Sequence, residues 1–330
     1  MTRLLTLLAA ALLFLAGPAQ AQCAGQNLLA ELPAKDRDAI IAAADSVPFP
    51  RGNHWRATRG DEVITMIGTY HFDDPRHAPT LAAITPAIQS AATVLVEAGP
   101  EEEKALKALI SRDPSTLMIT EGPTLLEQLP PELWAQLSEA LGRRGIPGFM
   151  AAKFQPWYVS VMLAIPPCGM AQMKDPKGLD GMVIETATAA GVPVRGLEPF
   201  DTVFQIFGAM THEEMVAMIQ STLAVEDRAE DYAATLADSY FAGESRVIWE
   251  YMREVSYGLP GYTREQVDAE YARLEELLMN ARNRAWIPVL TEAAARGPVF
   301  AAFGALHLSG QGGVLNLLRQ EGFTLEELPL

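Results

Sequence analysis

Short apolar and β-branched runs alternate with longer stretches of helical period along the chain, the arrangement of an α/β protein. Residues 36–44 read as a helix. Residues 55–58 and 63–67 are β-type runs flanking Arg59-Gly60-Asp61-Glu62, which predicts a hairpin around a glycine-containing turn. The second run leads into Gly68-Thr69-Tyr70-His71. A helix over about 79–92 precedes Thr93-Val94-Leu95-Val96, a run suited to a buried strand that delivers Glu97 at its carboxyl end. From 100 to 164 the pattern is one of helices separated by proline and glycine, with starts at Pro123 and Pro130. A second α/β pass comprises Gly178-Leu179-Asp180, a helix over 183–190 and an extended segment from Val192 to Glu198. Residues 204–257 read as helical throughout, and another helix over 264–296 ends at Gly297. The last unit is a buried strand over 299–303, a glycine-rich loop from Gly304 to Gly312, a helix over 314–320 and a final strand over 323–328.

The N-terminal segment follows another pattern. Arg3 precedes an apolar run from Leu4 to Ala16, and Ala19-Gln20-Ala21 follows it, the order of a secretory signal peptide over residues 1–21. The run is 13 residues long, short of the roughly 18–20 that a spanning helix needs, so no stable membrane span is expected after cleavage. Residues 22–330 are then expected to form a single α/β domain, exported to the periplasm or beyond the cell. In that oxidising setting the chain's two cysteines, Cys23 and Cys168, most simply pair and tether the mature N-terminus.

Composition narrows the partners. With 49% hydrophobic and 20% charged residues the chain has enough apolar surface for a packed core and lacks the signature of disorder. A formal charge of −16 argues against nucleic acid, which calls for a basic surface. Two cysteines build neither a disulfide scaffold nor a four-thiolate zinc site.

Candidate chemistry lies in a recurrence. Gly68-Thr69-Tyr70-His71 and Gly304-Ala305-Leu306-His307 each follow a predicted strand, and each presents a histidine three residues past a glycine, in a chain with five histidines. Carboxyl ends of strands line the crevice where open α/β sheets bind ligands. Two neutral imidazoles and one carboxylate suit a divalent metal with positions left open for water and substrate. Glu97 is the candidate carboxylate, because a charge directly after a buried strand is costly unless paired or metal-bound. Arg282, on the helix before the last buried strand with Asn283 and Arg284, is a candidate for holding a carboxylate or stabilising an oxyanion, or else a helix-face cation. Asp74 and His77 read as polar loop residues, with a further ligand or a partner for His71 as the alternative. His54 and His212 read as surface residues. His-Glu-x-x-His, Gly-x-Ser-x-Gly and the phosphate-binding Gly-x-x-x-x-Gly-Lys-Ser/Thr are missing from the sequence, and Gly310-Gln311-Gly312-Gly313 reads as close packing.

Taken in order, several stretches resemble the TraB/GumN (TraB/PrgY/GumN) family, to which the Tiki metalloproteases belong. They are Gly52-Asn53-His54-Trp55-Arg56 with Gly68-Thr69-Tyr70-His71, Val94-Leu95-Val96-Glu97, Gly178-Leu179-Asp180, Gly196-Leu197-Glu198, Arg282-Asn283-Arg284-Ala285-Trp286, and the segment from Gly304 through Gly322. The resemblance implies a central mixed sheet flanked by helices, as in erythromycin esterase and ChaN proteins, with a large helical insertion that here falls at about 204–296. It also implies a metal-dependent peptidase site of His71, Glu97 and His307, loaded with manganese or cobalt, or with zinc. Tyr70 and Phe72 stand where aliphatic residues are more usual, which bears on substrate shape.

The expected function is thus an exported metal-dependent hydrolase acting on a peptide or another small amide substrate, with Arg282 assisting. Alternatives are a non-catalytic binder of haem, iron or another ligand, a scaffold for envelope polysaccharide assembly, and a metal-free esterase with His71 as general base.

Overall fold

The computed structural model describes residues 23–174, 178–259 and 261–330; the expected signal segment lies outside them. Six strands, β1 (His54–Arg59), β2 (Glu62–Thr69), β3 (Thr93–Val96), β4 (Val194–Gly196), β5 (Val299–Gly304) and β6 (Thr324–Glu327), form one sheet in the order β4-β3-β5-β2-β1-β6. β2, β5, β3 and β4 run parallel, while β1 is antiparallel to both β2 and β6. The sheet is therefore mixed, as expected. Arg59 pairs with Glu62 across the predicted hairpin, and Gly60 takes the positive φ of 59° that such a tight turn requires.

Among the helices packed with the sheet and with one another are α1 (His77–Ser90), α2 (Pro131–Arg143), α3 (Pro156–Ala164), α4 (Leu179–Ala189), α5 (His212–Ala224), α6 (Ala229–Phe241), α7 (Ser245–Ser256), α8 (Arg264–Glu275), α9 (Ala281–Ala294) and α10 (Val314–Gln320). β3 and β5, between other strands, are buried on both faces, which explains their unbroken apolar runs, whereas the edge strand β4 exposes Arg195. Side chains still alternate. Val94, Val96, Phe300 and Ala302 pack with Ile84 and Ile88 of α1 and with Leu179 and Val183 of α4. Leu95, Ala301 and Phe303 pack on the other face against Trp286 and Leu290 of α9 and Leu315 and Leu318 of α10.

A separate cluster joins α2, α3 and α5 through Leu137, Leu141, Val159, Leu163 and Ile219. Arg144 closes it: its guanidinium donates to the carbonyls of Ala140, Leu163 and Ile165 and pairs with buried Glu226 at 2.6 and 2.9 Å. Leu28, Leu29 and Ile40 near the N-terminus pack on Val247, Ile248 and Tyr251 of α7. Cys23 and Cys168 form a disulfide, so the expected pairing is present. No helix among the described residues is long and apolar enough to cross a membrane.

Three helical boundaries differ from the sequence reading. The stretch 204–257 is broken, because Thr211 and Glu214 cap α5 reciprocally and Gly243 turns the chain at positive φ between α6 and α7. The helix over 264–296 runs on, but through a wide π-helical turn at Glu276–Asn280 just before α9. α4 starts at Leu179 rather than 183, which places Asp180 in its first turn.

Candidate functional site

The parallel strands end along one edge of the sheet. Thr69 pairs with Gly304, and Val96 pairs with both Ala302 and Gly196. His71, Glu97, Glu198 and His307 thus leave neighbouring strand ends, where α/β sheets hold their ligands. The structure brings His71, Glu97 and His307 together around the end of β5. A methyl group on Gly304 would lie 3.2 Å from Glu97 Oε1, 3.6 Å from His307 Cδ2 and 3.8 Å from His71 Nε2.

Each imidazole is held by its other nitrogen. His71 Nδ1 lies 2.8 Å from Asp180 Oδ2, and Thr69 Oγ1 donates to the second oxygen of the same carboxylate. This places the proton on Nδ1 and aims Nε2 at the crevice. The Asp180 charge raises the His71 imidazole to about 9, although the side chain is 65% exposed on its open side. Gly178 makes the arrangement possible, since a Cβ there would lie 2.3 Å from the His71 carbonyl oxygen. The α4 terminus docks on that backbone, with Leu179 N donating to Tyr70 O.

His307 is buried. Its Nδ1 donates to Asn283 Oδ1 at 2.6 Å, while Asn283 Nδ2 donates to Gly312 O at 2.8 Å, which orients the amide. The ring lies against Trp286, with centroids 4.4 Å apart. Burial pushes the imidazole down to about 4, so it is neutral, and Nε2 accepts from Arg282 Nη1 at 3.2 Å.

Glu97 accepts from the Gly304 amide at 2.6 Å and from Arg282 Nη2 at 2.7 Å. Burial pushes its carboxyl up, but the facing His307, Arg282 and His71 together outweigh burial and hold it at about 2. Arg282 is itself clamped. Its Nε and Nη2 donate to the two oxygens of Glu198 at 2.8 and 2.7 Å, a bidentate pair, and Trp286 Nε1 fixes that carboxylate at 3.0 Å.

Arg282 therefore bridges Glu97 and His307. Among the described residues no three His, Cys, Asp or Glu side chains stand at metal-holding separation; His307 Nε2 and Glu97 Oε1 are 3.9 Å apart. The donor chemistry nevertheless suits a divalent ion. Two imidazole Nε2 atoms face an ionised carboxylate, and each ring is oriented through its far nitrogen in the manner of metal-binding histidines.

Asp180, Glu198 and the amide of Asn283 complete the site, and the sequence reading gave none of them a role. A signal existed for Glu198: it follows the short run of β4 as Glu97 follows β3. Asp180 and Asn283 lie on helices, where only the fold shows the direction of a side chain. His54, expected at the surface, is 6% exposed, because β1 is an interior strand and the C-terminal Pro329 carbonyl covers Nδ1 at 3.1 Å. His77 is fully buried, with Nε2 on Phe72 O, and Asp74 pairs with Arg76. His212 is exposed, as expected. Arg284 pairs with Glu276 on the outer face of α9. Gly312 and Gly313 meet Asn280 and the Ser309 backbone so closely that a Cβ would collide, which is the close packing anticipated for that loop.

No curated protein matches this sequence. Its agreement with a family model runs over residues 53–327, from β1 to β6 and through all the residues converging on Gly304, and places the chain in the TraB/PrgY/gumN family.

Proposed function

We propose that this protein is an exported metal-dependent hydrolase of peptide or amide bonds, with the metal held by His71, Glu97 and His307. The observation that supports the reading is the convergence on Gly304 of two imidazole Nε2-bearing rings and one ionised carboxylate. A manganese- or cobalt-class ion held there would supply Lewis acidity toward a water and a substrate carbonyl oxygen. The chain's own residues supply the remainder. Asp180 and Asn283 hold the Nδ1 atoms of His71 and His307 away from the crevice and leave both Nε2 atoms facing it; His71, raised by Asp180, would give up its Nε2 proton on taking a metal. Glu198 and Trp286 hold the Arg282 guanidinium beside Glu97, where its charge stabilises negative charge developing on a substrate oxygen. His307 would hold the ion through Nε2, the atom that now accepts from Arg282 Nη1.

The test is calorimetric titration of metal-stripped, disulfide-intact protein with Mn²⁺, Co²⁺ and Zn²⁺. Wild type binds one equivalent, and the His71→Ala/His307→Ala variant loses at least tenfold in affinity. Equal binding by the two ends the metal reading. One observation favours a second reading: the His71–Asp180 pair has the form of a base and its orienting carboxylate, with Nε2 turned to the crevice and losing its proton as pH rises through about 9. Under that reading, hydrolysis survives excess chelator and is lost in His71→Ala.

A further inference from the structure

The space that holds the site does not end there. Tyr70, Leu236, Trp249 and Leu306 line the pocket containing His71, Glu97, Arg282 and His307, and the same four side chains line an adjoining cavity of about 280 Å³. That cavity lies under the helical cover, between Leu163 and Ala164 at the end of α3, Ala233 of α6 and Met252 of α7. Its neck is set by the chemistry-bearing turns themselves, since Tyr70 directly precedes His71 and Leu306 directly precedes His307. Phe72, on the other side of His71, also faces it. The aromatic pair that flanks the first histidine is thus wall to this cavity.

The lining is apolar. Its charged member, Glu226, has both carboxylate oxygens engaged by Arg144, so no free charge is left to receive an ionic group. A cavity of this kind selects by size and by exclusion of water, and a charged group entering it stays unpaired.

We propose that this cavity is the specificity pocket of the site: it takes an uncharged apolar group, a large aliphatic or aromatic side chain or a short acyl chain, attached next to the carbonyl under attack. The proposal rests on the hydrolytic reading for the position of that carbonyl, and on the cavity alone for the chemistry of the group.

The experiment is a titration of disulfide-intact protein, Mn²⁺-loaded and separately metal-stripped, with straight-chain hydroxamates from acetyl to decanoyl. Affinity rises by up to about fourfold per methylene until the cavity is full and then levels, in both forms of the protein. Analogues of equal length ending in a carboxylate or an amine gain nothing over the acetyl compound. Ala233→Phe fills the cavity and removes the chain-length slope; Trp249→Ala widens the neck and moves the plateau to longer chains. A flat chain-length series in wild type overturns the proposal, as does a slope and plateau unchanged in both variants. A slope that persists while Mn²⁺ adds nothing to acetohydroxamate affinity upholds the pocket and counts against the metal.

Discussion

Gly304 concentrates the site into one position. It ends β5 with φ −49° and ψ 134°, which alanine adopts freely, so the need for glycine there is one of space and not of backbone conformation. Gly304→Ala is expected to fold with a melting temperature within a few degrees of wild type, since the backbone is unstrained. Its methyl must push on Glu97 Oε1 from 3.2 Å, and metal affinity or hydrolytic rate falls by about tenfold to a hundredfold. A thermal melt checks the first half, and titration calorimetry or a hydrolysis rate the second. The histidines and Glu97 were legible in the sequence because each leaves an apolar run at a strand end. Asp180 and Asn283 were not, since their roles come from which side of a helix meets the crevice. The π-helical turn just before Arg282 and Asn283 changes the helical phase at the point where a sequence pattern would extrapolate it.

At the level of elements, strands and their order along the chain were largely readable, whereas the cover was read as helix without its divisions. Strands buried on both faces stand out as unbroken apolar runs. The helices of the cover meet one another and carry mixed surfaces, and their ends are set by local caps such as Thr211 with Glu214. What fastens α2, α3 and the segment after α5 is the ion pair of Arg144 and Glu226, whose side chains are almost wholly removed from solvent. Glu226→Ala leaves the guanidinium buried with three carbonyl partners and no counter-charge. A loss of about 3–5 kcal/mol is expected, measured by urea unfolding. The double replacement Arg144→Met/Glu226→Leu recovers much of it, as buried pairs replaced by apolar groups commonly do.

Two predictions concern the whole molecule. The Cys23–Cys168 bond closes a loop across 145 positions, and its reduction costs about 2–5 kcal/mol, seen as a lower denaturation midpoint for Cys23→Ser/Cys168→Ser. Stability also depends on acidity. Burial depresses His54 in the folded protein, and the second ring nitrogen has no partner, so below about pH 6.5 the unfolded chain binds a proton that the folded chain refuses. The contribution is complete above that pH and shrinks on acidification, by up to about 1.4 kcal/mol per pH unit for this one group. His71 acts in the opposite sense: Asp180 raises it, so its stabilising effect is complete below about pH 6.5 and lost as pH rises through about 9. Thermal melts in chelator across pH 5–9 should peak near neutrality, and His54→Asn should make the acid limb shallower while leaving the share of buried His307, which is held down to about 4.

The position of β5 has one more outcome. It is hydrogen-bonded on both sides, to β2 and to β3, yet it arrives some 200 positions after them in the chain. β2 and β3 are synthesised first, and the place between them is completed only by the closing stretch. Glu97 is aligned by the Gly304 amide at the end of β5 and His307 follows that strand directly, so a chain that stops short of it lacks the assembled site. A fragment ending at Pro298 should show no cooperative melt and no ion uptake, and adding a synthetic peptide of residues 299–330 in trans should restore both.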